Sequence, residues 1–129
     1  MLFNKKVIIV FLSVFILGFC FMSNVNAASY SVNETWDEDM IQDLIQTEDI
    51  SDLHFNKSGD GIYKDISLTI DKSIRLTCDL NVTLKRIYKE DYDGFYITAN
   101  NVSVSGFTIT GYSTGIYSEG SNIQMRIRI

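Results

Sequence analysis

The C-terminal half of the chain repeats itself with a shift of 21 residues. Gly94-Phe95-Tyr96 is matched by Gly115-Ile116-Tyr117, and the same shift carries residues 101–104 onto residues 122–125. A weaker copy, residues 73–76, lies 28 positions before residues 101–104. Self-similarity at a fixed period is typical of repeat architectures. A β-sandwich is the other fold that short strands allow, but it has no reason to restart its pattern after a fixed count, so the repeat favours a solenoid.

From residue 52 onward, apolar residues alternate with polar ones in short runs rich in β-branched and aromatic side chains. Glycine, asparagine, aspartate or serine separates the runs, as expected for strands joined by turns. The predicted strands are residues 68–70, 74–76, 82–84, 95–97, 102–104 and 107–109.

A period near 21 residues fits one lap of three short strands, because a strand residue advances by about 3.3 Å and neighbouring strands lie about 4.8 Å apart. Equivalent strands of successive laps then stack in parallel. The interior columns that we expect are Phe95 under Ile116, Val102 under Ile123 and Val104 under Met125.

Asn101 falls under Asn122 in this arrangement. Their side-chain amides can bond to one another in a ladder that satisfies inward polar groups, each of which costs about 1–3 kcal/mol when left unpaired. The alternative is that Asn101 is an ordinary surface turn residue, since asparagine is common in turns.

Residues 36–46 carry the pattern of an amphipathic helix. Thr35 and Glu38 have the spacing of a capping box, and the acidic residues of the first turn suit the positive end of the helix dipole. The apolar face comprises Trp36, Met40, Ile41, Leu44 and Ile45, and the polar face comprises Asp39, Gln42, Asp43 and Gln46. We expect this helix to cap the strands, with no cofactor site.

Residues 1–27 have the three zones of a secretory signal peptide. Lys5 and Lys6 give a positive start, residues 7–22 are almost wholly apolar, and small residues precede the expected cleavage point. A membrane anchor is the alternative, but the apolar run is shorter than the roughly 20 residues that span a bilayer. We expect a secreted or cell-surface protein that contacts the membrane only through this segment.

Removal of the leader leaves about 100 residues, enough for one small domain. We divide the chain into a signal peptide (1–27), a cap-helix region (28–50) and an incomplete parallel β-helix (51–129). The formal net charge is −5, and an acidic surface argues against nucleic-acid binding, which needs clustered lysine and arginine. Cys78 is the only cysteine beyond the leader, so we expect no internal disulfide and a small buried apolar residue at this position.

The segment Asn101-Val102-Ser103-Val104-Ser105-Gly106-Phe107-Thr108-Ile109-Thr110-Gly111, followed by Gly115-Ile116-Tyr117, resembles the repeats of right-handed parallel β-helix proteins of the pectin-lyase-like superfamily. It is most similar to the exported adhesin-like β-helix proteins of methanogenic archaea and some bacteria. Residues 58–63 and 68–74 are similar to the usual first coil in those proteins. The resemblance covers residues 36–125 and implies an all-β fold: a right-handed parallel β-helix of about two to three coils with a short N-terminal capping α-helix.

Two departures from the family pattern bear on the C-terminal end. The family stacks many coils, whereas this chain supplies about two and a half. Position 127, one period after Gly106, is Ile127 instead of glycine, and residues 125–129 form an alternating strand without a capping element. An unprotected last lap offers backbone groups to another chain. We therefore expect the N-terminal piece of a longer surface protein, able to self-associate through its open C-terminal coil.

We predict no catalytic, cofactor-binding or metal-ligating residue. His54 is the only histidine, so a zinc site is not expected, and its apolar neighbours predict a residue at the boundary between cap and coils. We also expect neither a phosphate-binding loop nor a nucleophile elbow.

The acidic loop Lys89-Glu90-Asp91-Tyr92-Asp93-Gly94 lies in the longer of the two repeat laps, where extra residues leave the stack and often form a binding face. Its carboxylates, Glu90, Asp91 and Asp93, can offer oxygen to calcium, and Tyr88 and Tyr92 can stack on a sugar ring. Calcium needs about six to eight oxygens, so a solvated acidic turn is the favoured interpretation. Paired carboxylates for polysaccharide cleavage are a further alternative.

Four Asn-x-Ser/Thr sequons can each accept a glycan in an exported protein, although asparagine and serine are also common in turns. They begin at Asn33, Asn56, Asn81 and Asn101. Asn101 is the least suited to modification if it points into the stack.

The leading hypothesis is an adhesin-like, non-enzymatic surface or secreted module that presents loops to carbohydrate or cell-surface protein partners. Export, the acidic surface, the stacked repeats and the absence of a catalytic constellation favour it. The competing hypothesis is a fragment of a carbohydrate-active β-helix enzyme, a polysaccharide lyase or hydrolase.

Overall fold

The computed structural model describes residues 27–88 and 90–128, which form ten strands and one helix. In chain order these are β1 (Ala28–Val32), α1 (Glu38–Thr47), β2 (Ile50–Phe55), β3 (Ile62–Lys64), β4 (Leu68–Ile70), β5 (Arg75–Cys78), β6 (Thr83–Lys85), β7 (Asp93–Ile97), β8 (Val102–Thr110), β9 (Thr114–Ser118) and β10 (Ile123–Arg128). The predicted signal peptide lies outside the described residues except for Ala27. Within the described ranges, no helix is both long and apolar enough to cross a membrane.

The paired strands run in parallel and stack on three faces. The first face contains β1, β2, β5, the first half of β8, and β10. The second contains β3, β6 and the second half of β8, and the third contains β4, β7 and β9. Together they form a parallel β-solenoid of about 4 turns with one short helix near the N-terminus. The predicted β-helix is confirmed. It has more turns than the repeat indicated, because β1 and β2 extend the stack before the first recognisable copy.

The register between laps is the one that the repeat predicts. Phe95 pairs with Ile116, Val102 with Ile123, and Val104 with Met125. The weaker copy also holds, since Arg75 pairs with Ser103 and Leu76 with Val104. Like residues therefore lie over like in successive laps.

An aromatic cluster fills the centre of the stack. Phe55, Phe95 and Phe107 are fully buried, and the ring centroid of Phe107 lies 5.0 Å from that of Phe55 and 5.3 Å from that of Phe95, edge to face. Tyr63 packs edge-on against Phe55, and its buried hydroxyl donates to the backbone carbonyl of Asn56 at 2.6 Å. Burial raises the pKa of Tyr63. Because the phenylalanines come from three successive laps, the cluster joins the coils.

The cap helix begins two residues later than predicted and has a different N-cap. The carboxylate of Asp37 accepts the backbone N–H of Met40 at 2.9 Å. Thr35 instead donates its backbone N–H and its hydroxyl to the side-chain oxygen of Asn33, at 2.9 and 2.6 Å. The predicted capping box of Thr35 with Glu38 is wrong, because the hydrogen bonds of Thr35 go to Asn33 in a local turn that precedes the helix.

Only part of the predicted apolar helix face is buried. Ile41 and Ile45 are fully buried, whereas Met40 is 47% exposed and was wrongly placed on the packed face. Gln42, predicted to face solvent, is half-buried against β4. The helix packs on a short strand. The buried stripe of the helix is therefore narrow, and it includes the polar residue Gln42.

Asn101 and Asn122 form the predicted ladder, but at the surface. Both adopt left-handed backbone conformations, with φ of 59° and 57°, and the Asn122 side-chain N–H donates to the side-chain oxygen of Asn101 at 2.5 Å. Both side chains are exposed, so the inward orientation was wrong. Asparagine tolerates this backbone conformation better than most residues, which explains its use at this repeated turn.

Candidate functional site

A column of outward side chains runs up the third face of the solenoid. Thr69, Tyr96 and Tyr117 occupy equivalent positions in β4, β7 and β9. The rings of Tyr96 and Tyr117 are stacked, with centroids 5.7 Å apart and planes 14° from parallel. Tyr96 donates its hydroxyl to a carboxylate oxygen of Glu119 at 3.0 Å, and this bond raises the pKa of Tyr96. Tyr117 is 47% exposed. The column therefore presents aromatic surface to solvent.

A groove of about 550 Å³ runs along this column, and we refer to it as the tyrosine groove. The cap helix contributes Glu38, Gln42 and Gln46 to its lining. The extended loop between β6 and β7 contributes Asp91 and Tyr92, and Asp93 at the start of β7 completes that side. Three tyrosines, two amides and three carboxylates thus converge on one open groove.

Tyr92 is held in place by a buried arginine. The guanidinium carbon of Arg86 lies 4.3 Å from the centroid of the Tyr92 ring, in cation–π geometry. The Arg86 side chain is only 8% exposed. It lies 3.6 Å from a carboxylate oxygen of Glu90 and 3.9 Å from one of Asp65. These contacts fix the loop from beneath.

Hydrogen bonds attach the same loop to its neighbouring laps. Asp91 accepts the hydroxyl of Ser113 at 2.9 Å, and the backbone N–H of Ser113 donates to the carbonyl of Tyr92 at 3.1 Å. Asp65 accepts the backbone N–H groups of Ile87 and Tyr88 at 2.8 and 3.1 Å. The loop is thereby ordered on both sides of Lys89, whose own placement lies outside the described residues.

The three candidate calcium ligands are not grouped as a metal site. Glu90 lies beside Arg86, Asp91 bonds Ser113, and Asp93 begins β7. In the part of the chain that the structure describes, no group of three or more acidic, histidine or cysteine side chains is placed to hold a metal ion. The two candidate sugar-stacking tyrosines also separate, because Tyr92 lines the groove while Tyr88 does not and is 70% exposed.

Glu38 is the carboxylate that the cap helix contributes to the groove. Burial raises its pKa, although a hydrogen bond from the backbone of Ser67 opposes the shift. A carboxylate that loses water without gaining a full set of partners favours its neutral form. Glu38 was expected only as a helix-capping residue.

His54 lies on the first face of the solenoid, away from the column of tyrosines. Its ring nitrogens lie 2.7 Å from the hydroxyl of Thr77 and 2.8 Å from a carboxylate oxygen of Asp79. The bond to His54, together with one from the backbone N–H of Lys57, lowers the pKa of Asp79. His54 therefore connects two successive laps. It lies in β2, the first strand after the cap helix, next to the boundary between cap and coils that was predicted for it.

Residues 111–115 read Gly-Tyr-Ser-Thr-Gly, the spacing of a nucleophile elbow. The structural context differs, because this segment connects strand β8 to strand β9, whereas an elbow joins a strand to a helix. Ser113 donates its hydroxyl to Asp91, and the only histidine of the chain bonds Thr77 and Asp79. The motif here forms a turn that supports the loop.

Cys78 is half-buried, and burial raises its pKa to about 11. Its thiol donates a weak hydrogen bond to the carbonyl of Ser105 at 3.7 Å. A thiol with a raised pKa is a poor nucleophile, so the side chain serves packing.

The sequons differ in accessibility. Asn33 is half-buried and its side-chain oxygen is engaged by Thr35, while Asn56 is also half-buried. Asn101 is exposed but its side-chain oxygen accepts the amide of Asn122. Asn81 is exposed in a turn with φ of 66°.

The sequence had named only part of the tyrosine groove. Asp91, Tyr92 and Asp93 belong to the predicted loop, whereas Glu38, Gln42, Tyr96 and Tyr117 were missed. One signal was available, because Tyr96 and Tyr117 are 21 residues apart, the period of the repeat. No family model matches the chain, and neither a curated protein nor a solved structure is significantly similar to it.

Proposed function

We propose that the protein is an exported, adhesin-like, non-enzymatic module that binds carbohydrate in the tyrosine groove. The supporting observation is that partly exposed tyrosine rings and convergent amide and carboxylate groups line a single groove. Sugar rings have apolar faces that pack on aromatic side chains and hydroxyls that need hydrogen-bond partners. Binding sites combine these features by placing a few polar groups around aromatic contact area.

Rigid support of the groove favours binding. Arg86 holds Tyr92 from below, and Ser113 holds Asp91. Side chains that are already ordered lose little entropy when a ligand arrives, so more of the contact energy remains as affinity. Tyrosine itself offers large contact area with few rotatable bonds.

Export and family membership are part of this proposal. The three-zone leader supports secretion or cell-surface display. The resemblance to pectin-lyase-like repeats and to adhesin-like β-helix proteins supports the adhesin assignment, and the parallel solenoid is consistent with it. Self-association through β10 belongs to the same proposal, since Met125 on this strand is 50% exposed although it continues an inward column.

A carbohydrate-active enzyme remains the second candidate because of Glu38. Its pKa is raised by burial, and it lines the same groove as Asp91 and Asp93. A carboxylic acid that stays protonated can serve as a general acid opposite an ionised carboxylate.

Titration of the purified chain with neutral and charged oligosaccharides by calorimetry tests the binding proposal. We expect binding of at least one hexasaccharide and a loss of about tenfold or more in affinity for Tyr117→Ala. Tyr88→Ala is the matched control, because Tyr88 is exposed but lies outside the groove lining. Absence of binding to any oligosaccharide, or equal losses in the two variants, contradicts the proposal.

An assay for release of reducing or unsaturated ends, run with and without calcium, separates the two candidates. The binding module produces no turnover. Turnover that is lost in Glu38→Gln, Asp91→Ala or Asp93→Ala would establish the enzyme instead.

A further inference from the structure

We infer that the tyrosine groove selects a glycan of amino sugars with free, protonated amines over neutral and anionic glycans. This inference rests on the proposed carbohydrate-binding function and adds the charge of the ligand. It is argued from the charged and aromatic side chains that line the groove.

Carboxylates from separate segments of the chain line the groove. Glu38 comes from the cap helix, Asp91 from the loop before β7 and Asp93 from the start of β7. Among the described residues that line the groove, none is basic. The charged side chains that a ligand meets along the tyrosine column are therefore all acidic.

The nearby arginine offsets only part of this charge, since it acts on Glu38 from beneath Tyr92. Arg86 lies under the ring of Tyr92 with only 8% of its side chain exposed. Its positive charge is already shared between Glu90 and Asp65. The three carboxylates of the lining outnumber this single, largely covered cation, so the groove stays acidic.

The charge of the groove discriminates between glycan classes. Walls of one charge sign in a concave surface focus the field and raise the local concentration of the opposite ion. A polyuronate would bring further carboxylates against Glu38, Asp91 and Asp93, and like charges brought together oppose binding. Protonated amines on the sugar rings supply the missing counter-charge.

The aromatic column distinguishes an amino sugar from a simple polyamine. Tyr96 and Tyr117 are stacked on each other, so each keeps one ring face for a ligand, and Tyr92 keeps the face turned away from Arg86. Pyranose rings can cover these surfaces, whereas a flexible aliphatic amine supplies charge without a flat apolar face. Recognition therefore needs both the sugar ring and the ammonium group.

Calorimetric titration of the full purified chain in a mildly acidic buffer tests the inference with four probes. They are the glucosamine hexamer, the N-acetylglucosamine hexamer, the galacturonate hexamer and spermine. We expect the glucosamine hexamer to bind about tenfold or more tightly than the acetylated one. Rising salt should weaken only the former, because screening acts on charge pairs. Galacturonate and spermine should bind weakly or not at all.

Isosteric variants assign the effect to the groove. Asp91→Asn with Asp93→Asn should abolish the preference for free amines and retain binding of the acetylated hexamer. Asp71→Asn, an exposed aspartate outside the groove lining, should change nothing.

The outcomes distinguish failure of the amino-sugar inference from failure of the proposed carbohydrate binding. Equal affinity for the two glucosamine-type hexamers, or tighter galacturonate binding, overturns the amino-sugar inference and leaves carbohydrate binding intact. If spermine binds as tightly as the glucosamine hexamer, the groove recognises charge alone, and the amino-sugar inference is wrong. Failure of all four probes contradicts both.

Discussion

The side-chain amide of Gln42 pairs with both backbone polar groups of Thr69. Its N–H donates to the Thr69 carbonyl at 2.9 Å, and its oxygen accepts the Thr69 N–H at 2.8 Å. Thr69 lies in β4, the first strand of the third face, so Gln42 occupies the place that another strand would fill. An unpaired edge invites association with other chains, and this side chain closes it at its central residue.

Replacement of Gln42 by alanine should destabilise the fold. Two half-buried backbone groups of Thr69 would lose their partners, at a cost of about 1–3 kcal/mol for each group that stays unsatisfied. Gln46→Ala is the matched control, because Gln46 is exposed on the same helix, and it should change stability by less than about 0.5 kcal/mol. Urea unfolding followed by circular dichroism measures both. Equal effects would show that the Gln42 contact contributes nothing.

Phe107→Ala should be among the most destabilising single changes. Its ring is fully buried and contacts Phe55 and Phe95, so the substitution leaves a cavity between laps. Phenylalanine-to-alanine changes in cores cost about 3–5 kcal/mol. Phe107→Leu keeps most of the volume and should cost clearly less. Denaturant midpoints of the two variants test this, and a loss below about 1 kcal/mol for alanine would contradict the described core.

Gly111→Ala should strain the turn between β8 and β9. Gly111 has φ of 86°, and an added Cβ would overlap the backbone carbonyl of Arg86. A left-handed conformation alone costs a non-glycine residue about 1–3 kcal/mol. Gly59→Ala is the control, since its Cβ would meet only the Glu34 carboxylate, at an ordinary 3.5 Å. Thermal unfolding should separate the two variants, and similar melting temperatures would argue against this turn geometry.

Glu34 should make stability depend on pH in the acidic range. Burial alone would raise its pKa, but hydrogen bonds from the backbone of Ser58 and Gly59 and from the Ser58 hydroxyl outweigh it and lower the pKa to about 2. A carboxylate with a depressed folded-state pKa stabilises the fold above its unfolded value of 4.5. That contribution is lost as the pH falls from about 4.5 to about 2.

Unfolding free energies measured across this acidic window check the prediction. Glu34→Gln should be less stable than the parent at neutral pH and should show a flatter dependence within the window, because its amide has no proton to gain there. Asp71→Asn is the matched control for loss of a carboxylate, because Asp71 is exposed and takes no part in these hydrogen bonds. An unchanged slope in Glu34→Gln would assign the acid sensitivity to other groups.

The sequence predicted the upper laps better than the lower ones. From Phe95 onward, two laps share the same period and the same apolar columns, so their pairing could be stated residue by residue. The first laps have other lengths, and β2 mixes Asp52 and His54 with its apolar residues, so its strand pattern was not recognised. These polar side chains are satisfied by Arg75, Thr77 and Asp79 in the next lap, partners that become visible only after stacking.

The groove was beyond sequence reasoning for a related reason. Gln42 has the position of a solvent-facing helix residue, and only docking of the helix under β4 turns it inward. Tyr96 and Tyr117 read as outward strand residues with no stated role. They line a groove only together with residues such as Tyr92 and Glu38, which come from other segments of the chain. Periodicity predicts which residues share a column, but it carries no information about what lies beside the column.

The stacking of like residues in successive laps is the claim on which the core and the groove both depend. Nuclear Overhauser spectroscopy on a methyl-labelled sample tests it without mutation, through the side chains of Val102 and Ile123. Parallel neighbours lie about 4.8 Å apart, so strong cross-peaks between their methyl groups are predicted, together with contacts between the rings of Tyr96 and Tyr117. Absence of the Val102–Ile123 cross-peaks, with either residue contacting an antiparallel neighbour instead, would contradict the solenoid.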